Sequence, residues 1–135
     1  MPDPFTTRVR DEWLDYNGHM NDACYALVCA QASEVLLDEL GFGARYQEET
    51  GRTTYTVESR IRYLKEARAG ETISVTSALV EATPKRLRVR HSLRAGGGDE
   101  IATAEFVYVH VNQATGRVEP MPPELEARAR SAVRP

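Results

Sequence analysis

One long apolar segment, residues 23–40, limits what this chain can fold into more than any other feature. Tyr25, Val28, Cys29, Ala32, Leu36 and Leu40 recur there at steps of one, three or four, which is the spacing of a helix face. Asn21 or Asp22 can supply the N-cap and Gly41 the C-cap. The first half of the segment is apolar almost all round, so the helix must be covered on more than one side. A single helix of that kind needs a sheet to cover it.

The rest of the chain supplies strands. Residues 6–13 mix β-branched and charged side chains and predict a first strand, and residues 42–51 read as a connector after the helix. The period then changes to two. Tyr55, Val57, Ile61 and Tyr63 fall on one face, with Thr54, Thr56, Glu58, Arg60 and Arg62 on the other. Gly70, Pro84-Lys85 and Gly96-Gly97-Gly98 mark turns into three further strands, the last through residues 100–112. The expected class is α+β, with a curved antiparallel sheet wrapped around one long central helix. All of residues 1–135 form one domain in this reading, with a core over about residues 6–112 and a surface tail from 120 to 135 that can form a short helix. At 135 residues the chain buries enough surface for its own core but not for a large enclosed pocket, which makes a site shared with a second subunit attractive.

Composition narrows the function. A net charge of -3 and a pI near 5.6 give no general pull toward nucleic acid or anionic membrane. No stretch approaches a membrane span, and the first residues lack a signal peptide's basic start and apolar run, so the expected location is cytoplasmic. Cys24 and Cys29 lie five residues apart in the helix, about 140° around its axis, and fit neither a disulfide nor a metal pair. No metal site or cofactor motif is visible, so neither is expected.

Residues 15–21 carry the chemistry. Asp15, Asn17, His19 and Asn21 set a carboxylate, an amide, an imidazole and a second amide at alternate positions just before a buried helix. A helix N-terminus offers free N–H groups and a partial positive charge that can polarise a carbonyl, while Asp15 can activate water beside it, a combination suited to acyl transfer to water. The same residues could equally build a tight turn at Asn17-Gly18 and a cap at Asn21.

The spacing Asp15-x-Asn17-x-His19-x-Asn21-x-x-x-Tyr25, followed by Tyr55–Tyr63 and Gly70-Glu71, resembles hotdog-fold thioesterases of the 4-hydroxybenzoyl-CoA thioesterase-like superfamily. Within it, residues 13–21, Tyr55-Thr56-Val57-Glu58, Glu66-Ala67, Lys85-Arg86-Leu87 and residues 101–105 are most similar to betainyl-CoA thioesterases, including those fused to L-carnitine dehydrogenases. The resemblance implies hydrolysis of a small acyl-CoA, with betainyl-CoA giving glycine betaine and coenzyme A as the favoured case, by a homodimer or homotetramer. It assigns Asp15 the role of base or nucleophile, Asn17 and His19 substrate or water positioning, and the N–H groups from Gly18 to Asn21 the polarisation of the carbonyl. Trp13, Tyr16, Met20, Asn21, Tyr25, Tyr55 and Glu58 become candidate substrate contacts, with Glu58 expected to face a cationic acyl group. The competing readings are a hotdog enoyl-CoA hydratase, whose motif is one residue wider, and a non-catalytic acyl-CoA-binding module.

Three further features have simpler readings. Glu34, in mid-helix, matches no catalytic position and is expected to be structural or to face solvent. Arg86, Arg88, Arg90 and Arg94 form a stripe that either holds coenzyme A phosphates or pairs with glutamates on neighbouring strands. His91 and His110 are expected to be packed or surface residues.

Overall fold

The computed structural model describes residues 4–134. Strand β1, Phe5–Arg8, leads through a 3-10 turn, Asp11–Trp13, into helix α1, Asp22–Leu40, and then helix α2, Ala44–Thr50. Strands β2, Arg52–Tyr63, β3, Thr72–Ala82, β4, Arg86–Ala95, and β5, Asp99–Asn112, follow, then the short β6, Arg117–Val118, and helix α3, Pro123–Ala132. The sheet runs β1-β3-β4-β5-β2, every pair antiparallel, with β6 attached to β5. It curls around α1, whose Tyr25, Val28, Cys29, Ala32, Leu37 and Leu40 enter the core.

The caps of α1 follow the sequence. The Asn21 side chain accepts from the Ala23 N–H at 2.9 Å, and Gly41 adopts φ +99°, a left-handed cap that a side chain would strain. Burial pushes the Cys29 thiol up to about 12, so it behaves as a small apolar core residue.

Four expectations need correction. The first strand ends at Arg8, because the chain turns at Asp11–Trp13 and sends the Trp13 indole into the core. The connector after α1 contains α2, whose seven residues include no buried side chain and so show no apolar period. The C-terminal tail is docked: Met121, Leu125 and Ala129 are buried, and the Arg134 N–H donates to the Leu79 carbonyl at 2.8 Å.

The fourth correction matters most for the site. A bulge at Val57 breaks the alternation of β2, so Thr56 pairs with Tyr108 while Glu58 pairs with Val107. Directly paired residues share a face of the sheet. Thr54 and Thr56 therefore lie on the helix side with His110 and Tyr108, and so do Ile61 and Tyr63 with Ala104 and Ala102. Tyr55 and Glu58 share the outer face with Val109 and Val107.

That outer face also carries the arginine stripe, whose Arg86, Arg88 and Arg90 pair with glutamates while Arg94 donates to the Gly98 carbonyl at 3.0 Å. Arg86 and Arg88 approach Glu81 at 3.0 and 3.9 Å, and Arg88 and Arg90 approach Glu105 at 3.6 and 3.7 Å. No described helix is long and apolar enough to cross a membrane.

Candidate active site

Asp15 sits in a loop folded by its own hydrogen bonds. Its Oδ1 accepts from the N–H groups of Asn17 at 2.9 Å and His19 at 3.4 Å, while its carbonyl accepts from Gly18 at 3.0 Å. Gly18 takes φ +80° to close this turn. The loop is then pinned from both sides, since Met20 N–H donates to the Ala67 carbonyl and Asn21 N–H to the Trp13 carbonyl, each at 2.8 Å. Asp15 Oδ2 has no hydrogen-bond partner among the described residues.

These bonds revise the expected carbonyl-polarising groups. The N–H groups of Gly18, His19, Met20 and Asn21 all donate within the protein, and Ala23 and Cys24 donate to Asn21. Between Asn17 and Cys24, the Asp22 N–H alone has no acceptor among the described residues. It is the first N–H of α1, where the helix dipole adds to its donor strength.

Asp15, Tyr16, Asn17, Met20, Asn21 and Tyr25 line one open cleft of about 750 Å³. Its other wall is the end of β2 and the segment after it, with Tyr63, Lys65 and Glu66. Tyr63 and Tyr25 meet edge to face at 5.0 Å, and their hydroxyls donate to the carbonyls of Asp22 and Lys65 at 3.2 and 3.1 Å. Those bonds tie the helix N-terminus to the strand. Lys65 is held by Asp99 at 2.5 Å. The backbone N–H of Glu66 itself, and then the nearby His19, hold the Glu66 carboxyl below the usual carboxylate range.

Trp13, His19, Tyr55 and Glu58 do not line the cleft. Trp13 is buried in the core under the Arg10 guanidinium, 5.5 Å from the ring centroid, and does not line the cleft. Tyr55 and Glu58 lie on the outer face of the sheet. Asn21 lines the cleft while its side chain caps α1. No group of three His, Cys, Asp or Glu among the described residues could hold a metal ion.

A second cavity, of about 940 Å³, lies at the opposite end of β2. It is bounded by α1 from Ala30 to Asp38, the start of α2, Thr53, Thr54 and Thr56 of β2, and Tyr108 of β5. Sequence reasoning missed it, because its walls come from residues scattered between Phe5 and Tyr108. Behind it, the fully buried His91 ring joins Ser33 of α1 through Nε2 at 2.9 Å and Ser77 of β3 through Nδ1 at 2.7 Å. Burial pushes the His91 pKa down to about 4, so the ring is neutral near pH 7.

A curled antiparallel sheet around one helix, with a carboxylate loop at the helix N-terminus, is the architecture of the hotdog-fold thioesterases. Residues 9–129 match the family model described as thioesterase-like superfamily, and the chain belongs to that superfamily. It is 33% identical over 125 residues to the betainyl-CoA thioesterase of Pseudomonas aeruginosa, covering 92% of this chain and 79% of that protein. It is 38% identical over 117 residues to the L-carnitine dehydrogenase/betainyl-CoA thioesterase of Agrobacterium fabrum, covering 87% of this chain. The chain spans only 24% of the length of that relative. Among solved structures, a Staphylococcus aureus hypothetical protein in complex with CoA superposes with a TM-score of 0.90 at 26% identity, covering 96% of this chain and 82% of that one.

Proposed function

We propose that the chain hydrolyses a small acyl-CoA thioester to the free acid and coenzyme A, with betainyl-CoA as the favoured substrate. The observation that carries this reading is that Asp15, with Oδ2 open, and Asp22, with its N–H unpaired among the described residues, line one cleft at the helix N-terminus. The names of the relatives support the acyl group.

In this mechanism the thioester carbonyl oxygen accepts from the Asp22 N–H, which stabilises the oxyanion as the carbon becomes tetrahedral. Asp15 takes a proton from water, whose oxygen bonds to that carbon. The intermediate then collapses by breaking the C–S bond, and the proton held on Asp15 passes to the departing coenzyme A thiolate. Attack by Asp15 itself, through an anhydride that water opens at the Asp15 carboxyl carbon, uses the same oxygen; single turnover in ¹⁸O-water separates the routes, because only that opening leaves label on Asp15. Asn17 borders the reacting atoms, His19 acts through its backbone N–H on Asp15 Oδ1, and Tyr16, Met20 and Tyr25 border the thioester arm.

The working unit is a homodimer in this reading. Strand β2 is a 12-residue sheet edge with Tyr55 and Val57 exposed at 45% and 59%, an unpaired edge that would otherwise invite aggregation. A two-fold axis perpendicular to the sheet pairs β2 with its copy antiparallel. The Tyr63 end then lies beside the partner's Thr53 end, so each Asp15 cleft opens toward the other subunit's larger cavity.

The test is thiol release from a panel of acyl-CoAs, including betainyl-CoA and a crotonyl-CoA control, with sedimentation of the same sample. Release of coenzyme A from betainyl-CoA by a dimer is expected. Tight binding without hydrolysis would make the protein a binding module, and hydration of crotonyl-CoA without thiol release would make it a hydratase.

A further inference from the structure

The cavity at the Thr53 end of β2 has a chemistry of its own. Phe5, Phe42 and Tyr108 contribute aromatic walls, Ser33 and Thr56 contribute hydroxyls, and Glu34 contributes a carboxylate. Two other charged residues line it, and both are engaged. A side chain at Gly43 would collide with the Asp38 carboxylate, which shows that Asp38 is folded against the α1–α2 junction. Arg10 sits over Trp13 and pairs with Glu12 at 3.7 Å. Glu34 makes no ion pair among the described residues. Its charge is nonetheless felt at Tyr108, whose phenol pKa is raised first by burial and further by Cys29 and Glu34.

The inner wall is rigid. Ser33 is fixed to His91, and His91 to Ser77, so hydrogen bonds link α1 to β4 and β3 directly behind the cavity. The Ser33 and Thr56 hydroxyls also approach the Tyr108 phenol and offset part of its burial. An unpaired carboxylate beside preset aromatic faces suits a cation that cannot donate hydrogen bonds. A quaternary ammonium is such a cation: it gains from ring faces and a nearby negative charge, and loses little by lacking hydrogen-bond partners.

We propose that this cavity receives the quaternary ammonium end of the acyl group, with Glu34 as its counter-charge and Tyr108, Phe5 and Phe42 as its aromatic walls. The assignment rests on the thioesterase reading and on the antiparallel dimer, in which the thioester meets Asp15 of one subunit while the acyl end enters the cavity of the other. Glu34 is then the residue that selects the cationic acyl group. Glu58 cannot take that part, because the bulge at Val57 places it on the opposite face of the sheet.

The experiment compares kcat/KM for betainyl-CoA with that for its neutral isostere, 3,3-dimethylbutanoyl-CoA, in wild type and Glu34→Gln. Glu34 is exposed, so the substitution leaves the core untouched. Wild type is expected to prefer the cation by about tenfold, and Glu34→Gln to lower that preference by about tenfold, mainly through KM. A wild-type preference that Glu34→Gln leaves unchanged would overturn the role of Glu34 while leaving the betainyl assignment standing. An equal fall on both substrates would also overturn it, since it marks a role unrelated to charge. A wild type that favours the neutral acyl group removes the betainyl assignment, and this inference with it, but leaves thioester hydrolysis intact.

Discussion

The two ends of strand β2 solve different problems with different means. At the Tyr63 end a short loop holds a carboxylate by backbone hydrogen bonds and leaves one oxygen and one helix N–H free, in a cleft open to solvent. At the Thr53 end the cavity walls are helix and strand, backed by a buried histidine fixed to two serines. A reacting carboxylate needs spare hydrogen-bonding capacity and access to water. Recognition of a shape and a charge needs walls that do not move.

The largest effect should come from the loop end. Asp15→Asn is expected to keep the fold and lose roughly 10² to 10⁴ in kcat, with little change in KM. Steady-state thiol release measures both constants. Near wild-type turnover would move the chemistry away from the loop.

At the cavity end the expected signature is in stability. His91 is lowered from 6.5 to about 4, so the unfolded chain binds the proton more readily than the folded one between those values. Its contribution is therefore full above about pH 6.5 and lost as pH falls toward 4, a change of about 3 kcal/mol at most. Urea unfolding from pH 7 to 4.5 should show stability falling, and His91→Gln should flatten that slope. A slope unaltered by the substitution would mean that other groups set the acid response.

A smaller change tests how the two ends are joined. Tyr63→Phe removes the hydroxyl that donates to the Asp22 carbonyl and should slow kcat a few-fold, at a cost of about 1 kcal/mol in stability. The smallest belongs to the outer face. Glu58→Gln should change thioester hydrolysis by less than about twofold, as expected of a surface substitution away from the site. A clear loss of betainyl-CoA turnover in this variant would bring the outer face of β2 into recognition.

Strands β4 and β2 show what the sequence could tell. In β4, Leu87, Val89, His91 and Leu93 are buried and alternate with the arginines as the pattern predicts, because β4 itself carries no extra residue; the irregularities of its two pairings fall at Val80 of β3 and Ile101 of β5. In β2 the extra residue is Val57, within the strand itself, and nothing in Tyr55-Thr56-Val57-Glu58 announces it. That bulge moves Tyr55 to the outer face and turns Thr54 and Thr56 toward α1, while Glu58 stays opposite Ile61 and Tyr63. Helix α1 was legible because Asn21 and Gly41 mark its ends and its buried face recurs at helical spacing; α2 has no fully buried side chain and packs only Tyr46 against the core, which leaves no pattern.

The carboxylate loop could be read because its residues are contiguous. The pairing of its N–H groups could not, since the carbonyls of Ala67 and Trp13 reach it only through the tertiary fold. The cavity was invisible for a similar reason. Glu34 reads as an isolated carboxylate on a helix until Tyr108, 74 positions later in the numbering, is folded against the same space.

The claim that the two ends meet across a dimer is tested most directly by complementation. Asp15→Asn disables the loop end, and Ala30→Trp fills the cavity, which Ala30 lines. Each homodimer, confirmed as a dimer by sedimentation, should be nearly inactive. A purified heterodimer of the two contains one site with both halves intact and should recover about half of the wild-type rate. A heterodimer that stays as inactive as its parents would show that each chain carries its whole site alone, contrary to this account.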